Sequence, residues 1–246
     1  GNEREQFKLL DENIHLTDSP EYYHYYGTTV DERLIYLRNH QDKAEFELYS
    51  STPGGDRELL QTFGRPIKIL SKYDDRRLLI SQDTTNINQR LYLYDLDEGE
   101  AEELPLPEGR FKSYTSLDDS RAVFISDYTN GYLNLYSLNK KTWHFERITD
   151  FEWNIEHFTL SADKNTSYLT LNENGFSRVY KFDINERSLT KLELPFEGVI
   201  HSFKKNKSHL YFLYSGMAEP HHFYRYDLIE GSLEKLFGNP PVNTEV

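Results

Sequence analysis

The 246-residue sequence predicts an all-β fold, a β-propeller of about five four-stranded blades. Three observations carry that expectation. Aromatic residues reach 15%, with 19 Tyr and 15 Phe against 2 Trp, a mix suited to half-buried pleated surfaces. An acidic or amide turn recurs at Asp31, Asp74, Asp118, Asp163 and Asn206, at intervals of 43, 44, 45 and 43 residues. An aromatic residue near the end of a later strand recurs at Tyr49, Tyr94, Tyr136, Phe182 and Tyr226, at intervals of 45, 42, 46 and 44. A period near 44 residues is the length of one four-stranded blade. Five copies also fit a six- to seven-bladed propeller of which this sequence is a part.

Each repeat reads as a first strand, a polar turn, an apolar second strand, a polar loop, an aromatic third strand and a fourth strand, which in all but the third repeat leads to Gly or Pro. Second strands are expected at 33–38, 78–81, 122–126, 168–171 and 210–214, and third strands at 45–49, 91–95, 133–136, 179–183 and 223–227. Fourth strands are expected to end at 63–64, 107–109, 149–150, 196–198 and 237–238. Asp and Asn suit the turns because their side chains bond nearby backbone N–H groups. No segment sustains a 3.6-residue apolar period, so helix should be scarce. The blades then occupy about 20–64, 65–109, 110–153, 154–198 and 199–238 of a single domain. Residues 6–18 read either as the outer strand of a preceding blade or as a strand that closes a five-bladed ring by pairing with the last blade. If the ring is open, the terminal blades should self-associate, because large bare apolar faces drive association.

Lys and Arg total 28 against 41 Asp and Glu, a net charge of −13 that repels phosphate backbones and anionic lipid. Neither nucleic acid nor a membrane is an expected partner. The absence of Cys removes disulfides, thiol catalysis and thiolate metal sites, and fits a reducing, cytoplasmic setting.

No G-x-S-x-G nucleophile elbow occurs. Gly175-Phe176-Ser177 begins like one but continues into Arg178 and Val179, and reads as a hairpin loop. Apart from the pair Gly54-Gly55, glycines stand singly at turns, without a phosphate-binding pattern, and no cofactor is expected. His221 and His222 are adjacent, so on a strand they point to opposite faces and cannot ligate one ion together. Carboxylate pairs such as Asp74-Asp75, Glu102-Glu103 and Asp118-Asp119 read as solvated turns; a propeller glycosidase or lyase would need two carboxylates across one pocket. Counted back from the turns, Lys68, Lys112 and His157 fall at matching places on first strands. With His201 they are the candidates for a channel mouth that docks substrate, and no catalytic or metal-binding residue is expected.

Two stretches carry a resemblance. The run from Asn172-Glu173-Asn174-Gly175-Phe176-Ser177 to Val179-Tyr180-Lys181-Phe182-Asp183 resembles a blade of the prolyl oligopeptidase family of serine peptidases, in its acylaminoacyl-peptidase and dipeptidyl-aminopeptidase-like branch. Ser215-Gly216-Met217-Ala218-Glu219-Pro220, followed by Phe223-Tyr224-Arg225-Tyr226-Asp227-Leu228, resembles the segment just before that family's catalytic domain. Ser161-Ala162-Asp163-Lys164 resembles turns shared with the propeller of the Tol-Pal system. The family resemblance implies a non-catalytic propeller that gates and docks peptide substrates for an α/β-hydrolase domain beyond this sequence. The Tol-Pal resemblance implies a free-standing protein-interaction propeller.

Overall fold

The structure is a computed structural model and describes residues 7–9, 14–15, 17, 22–40, 43–52, 57–217 and 220–238. Among them every regular element is a β-strand, and the strands form five four-stranded sheets in which neighbours in sequence are neighbours in space. Such meanders are the blades of a β-propeller. The first blade comprises Tyr22–Val30, Arg33–His40, Phe46–Ser51 and Arg57–Phe63. The second comprises Ile67–Lys72, Arg77–Asp83, Gln89–Asp95 and Glu100–Glu103. The third is Phe111–Ser116, Arg121–Ser126, Asn134–Asn139 and Phe145–Arg147. The fourth is Ile155–Leu160, Thr166–Glu173, Phe176–Asp183 and Leu189–Leu192. The fifth is Val199–Asn206, His209–Ser215, His222–Asp227 and Leu233–Gly238. By compactness the chain divides into two units, Gly1–Phe124 with Asn139–His144, and Ile125–Leu138 with Phe145–Val246.

In the first four blades the second strands are the most buried because both of their faces are covered, which is why they read as near-continuous apolar runs, whereas His209–Ser215 of the fifth alternates. In the first unit, Ile35, Leu37, Leu48, Leu78, Ile80 and Tyr94 belong to one core. In the second unit, Tyr168, Val179, Phe203, Phe212, Tyr214 and Tyr224 form another. Fourth strands are largely exposed and carry the charges.

The hairpin between third and fourth strands repeats with a strict period. Asp95, Asn139, Asp183 and Asp227 stand 44 residues apart. In each, Oδ1 accepts the backbone N–H groups two and three residues on, at 2.8–3.1 Å. The fourth residue after each, Gly99, Trp143, Arg187 and Gly231, has positive φ. This regularity corrects the aromatic spacing of the third blade. Leu138, opposite Phe145, stands where Tyr94 faces Ala101 and Phe182 faces Leu189, so Tyr136 lies two residues too early.

Three further expectations are revised. The fourth strands of the second and fourth blades stop at Glu103 and Leu192, short of the expected ends, ahead of Pro105 and Pro195, which have no N–H to donate. Ser177 lies within the strand Phe176–Asp183 rather than in a loop, because the turn is only Asn174-Gly175, both at positive φ. Within 6–18, Lys8–Leu9 pairs with Ile14–His15 as a small hairpin, so these residues are partners of each other rather than a lone outer or closing strand. Phe7 anchors it, its ring 5.7 Å from that of Tyr36 and against Gly27, where a Cβ would come within 2.8 Å. Residues 6, 10–13, 16 and 18 lie outside the described residues.

First strands carry a recurrent irregularity. The pairing register with the second strand shifts between Tyr25 and Thr28, Ile69 and Ser71, Ile155 and His157, and Ile200 and Ser202. Leu70, Glu156 and His201 are thereby left unpaired as bulges.

Candidate functional site

In the first unit a cleft of about 420 Å³ opens between the second and third blades. Lys68 and Leu70 reach it from Ile67–Lys72, and Phe111, Lys112 and Ser113 from Phe111–Ser116, with Arg110 just ahead of that strand. Asp83, Asn86, Ile87 and Gln89 complete the wall. Gln89 is buried and holds the two blades together. Its Nε2 donates to Asp83 Oδ1 at 2.9 Å, and its Oε1 accepts the Phe111 N–H at 3.1 Å. Ser113 is a non-glycine residue at φ 53° inside a strand, a strained left-handed conformation of the kind that collects at ligand sites. Lys68 and Lys112 have no hydrogen-bond or ion-pair partner among the described residues.

A second cleft of the same unit, of about 440 Å³, differs in electrostatics. Its charges are matched: Arg77 Nη2 pairs with Asp74 Oδ2 at 2.6 Å, and Arg76 Nη2 with Asp95 Oδ2 at 2.6 Å. Burial works to raise the Asp74 pKa, but hydrogen bonds from the Arg77 side chain and the Arg76 and Arg77 N–H groups hold it below the ordinary value. The hydrogen bond from Arg76 lowers that of Asp95. Such a closed network stabilises the turn and leaves little charge to recruit a ligand.

In the second unit the expected histidines have separate employment. His157 Nε2 lies 2.9 Å from the Ile200 carbonyl oxygen, and its ring stacks on Phe203 at 6.4 Å. His201 Nε2 is 2.7 Å from Ser215 Oγ, and its ring is 4.7 Å from that of His221. His221 is exposed while His222 is buried, so the two do point to opposite faces. The Ser215–His201 contact pairs a hydroxyl with a base, but among the described residues no third group is placed to orient the imidazole for catalysis. Among the described residues no group of three or more His, Cys, Asp or Glu is placed to hold a metal ion.

The structure thus brings Lys68 and Lys112 to one cleft, and sets His157 and His201 on adjacent first strands facing different neighbours. Sequence reasoning missed Arg110, Gln89 and Ser113. Gln89 has one faint signal, its place as the polar first residue of a third strand. Ser177, one residue into its own third strand, plays the same part: it accepts the Ile200 N–H and donates to Glu156 Oε2, both at 3.0 Å, while Asn172 Nδ2 donates to Glu156 Oε1 at 2.8 Å.

Comparison with known proteins adds a family. The model described as prolyl oligopeptidase, N-terminal beta-propeller domain, matches residues 66–237. A puromycin-hydrolyzing peptidase of Mycobacterium tuberculosis shares the fold with a TM-score of 0.76 at 12% identity, over 92% of this chain and 40% of that one. Prolyl oligopeptidase B from Galerina marginata, bound to a 35mer hydrolysis and macrocyclization substrate, gives 0.73 at 13% identity, over 87% of this chain and 33% of that one. TolB from Acinetobacter baumannii gives 0.63 at 17% identity, over 97% of this chain and 59% of that one. This chain therefore spans less than half the length of either peptidase. No curated protein sequence matches it.

Proposed function

The chain belongs to the prolyl oligopeptidase N-terminal β-propeller family, and from that membership we propose that it is the non-catalytic part of a serine peptidase, gating access and docking peptide substrates for an α/β-hydrolase domain in the same polypeptide. The family match over 66–237 carries the reading. Its physical support is a cleft that exposes unmatched cations on first strands. Ser177, the one serine of an elbow-like sequence, is buried and committed to Glu156 and Ile200, which suits a scaffold role.

The coding sequence after Val246 tests the assignment: a G-x-S-x-G elbow supports it, and a frame that ends or continues without one refutes it. Gating is tested on the full-length enzyme. A short chromogenic peptide should be cleaved far faster than the same peptide embedded in a folded protein, and removal of residues 22–238 should erase that preference.

A second reading, a free-standing interaction propeller, rests on the fold shared with TolB, over 97% of this chain and 59% of that one. Capture of a stable protein partner by a chain with no hydrolase downstream would select it.

A further inference from the structure

Building on the peptide-docking reading, we propose that the cleft between the second and third blades binds the C-terminal carboxylate of a peptide whose last side chain is apolar. Lys68 and Lys112 face it against a single carboxylate, Asp83, one oxygen of which is already occupied by Gln89 Nε2 at 2.9 Å. That excess of positive charge stands in a chain with a net charge of −13. In the neighbouring cleft of the same unit Arg76 is matched by Asp95 and Arg77 by Asp74, whereas Lys68 and Lys112 have no acidic partner among the described residues.

The lining is also apolar in part. Leu70 and Phe111 lie beside the lysines, and Ile87 stands 66% exposed at the rim. A terminal residue carries its carboxylate and its side chain on one Cα, so cationic and apolar groups set side by side bind it together. An internal Asp or Glu offers the charge without an apolar group on the same carbon, and inorganic phosphate offers the charge alone. At about 420 Å³ the cleft is of the size that accepts a small ligand group, and its backbone is set in place by the bulge at Leu70 and the left-handed Ser113.

The test is fluorescence anisotropy on the 246-residue chain with three labelled peptides. One is an N-acetylated oligoalanine ending in phenylalanine with a free carboxylate, the second its C-terminal amide, and the third the amide with an internal glutamate. The free acid should bind about tenfold tighter than either amide, the worth of charge-assisted hydrogen bonds at a partly exposed site. K68Q and K112Q keep the aliphatic stems; each should remove most of that advantage with an unchanged melting temperature, and added salt should shrink it. Equal affinity of acid and amide, or of acid and internal-glutamate amide, overturns this assignment and leaves peptide docking standing. Absence of binding by all three peptides overturns both.

Discussion

Ser177 and Ile200 join the fourth and fifth blades through one hydrogen bond, the Ile200 N–H donating to Ser177 Oγ at 3.0 Å, while the same hydroxyl donates to Glu156 Oε2 at 3.0 Å. Replacing Ser177 with Ala strands a buried N–H and loosens the Glu156 carboxylate. The expected cost is about 1–3 kcal/mol in urea denaturation. A loss near zero would mean that water or a shifted backbone takes over the N–H.

Gly198 tests how tightly the chain packs where it enters the fifth blade. A Cβ there would stand 2.2 Å from the Ser215 carbonyl oxygen and 2.5 Å from the Tyr214 ring, so Gly198→Ala forces the backbone to move. It should destabilise by about 1–3 kcal/mol, as overpacking does. At Gly64 an added Cβ meets nothing within 4 Å, and Gly64→Ala should change stability by no more than about 0.5 kcal/mol. Thermal melts of the two variants make the comparison.

Turn carboxylates set the response to acid. Hydrogen bonds from the Ser120 hydroxyl and N–H and from Arg121 hold Asp118 below the ordinary range, as the Arg76 side chain does Asp95 and backbone N–H groups do Asp227. With folded values below unfolded ones, the stability these groups confer is present above about pH 4 and is lost as pH falls through the folded values. The melting temperature should drop steeply from pH 5 downward, roughly where carboxylates titrate. Asp118→Asn should melt lower at neutral pH and lose less on acidification. An identical acid slope in the variant would assign the effect to other groups.

Tyrosine ionisation gives the opposite limb. Burial raises the Tyr114 phenol, and burial with the hydrogen bond to Glu173 raises Tyr180. Raised folded values mean that this stability is present below about pH 10 and fades as pH climbs toward the folded values. Absorbance titration should show some phenols of the folded chain ionising late. Tyr114 Oη is buried without a hydrogen-bond partner among the described residues, so Tyr114→Phe should be neutral or stabilising and should remove one late phenol.

Much of the fold was legible because second strands are buried on both faces and turn acids satisfy backbone N–H groups, constraints that leave residue types in the sequence. Asp118 shows this plainly, its Oδ1 accepting the Ser120 and Arg121 N–H groups at 2.8 Å. Tyr136 misled because an aromatic was counted where the side chain of Leu138 occupies the recurring place; the Asx residue that follows is the more faithful marker, since its role is fixed by geometry rather than by bulk. At the candidate site, Lys68 and Lys112 were found by spacing, but Arg110 lies before the strand, and Ser113 carries no sign of its left-handed backbone. The partner of His157, the Ile200 carbonyl 43 residues away in sequence, leaves no trace in the spacing that singled the histidine out.

The bulges at Leu70, Glu156 and His201 act as phase shifters. Each one resets the alternation of side chains along a first strand while the second and third strands of the blade keep theirs. One residue gained or lost there would re-aim what the strand presents without repacking the core behind it. The bulged residues already serve three ends: Leu70 walls a cleft, Glu156 ties down Ser177 and Asn172, and His201 meets Ser215. First strands are therefore where a propeller of this family has room to vary its chemistry at small cost to its fold, and where counting residues between relatives will most often misalign the groups that matter.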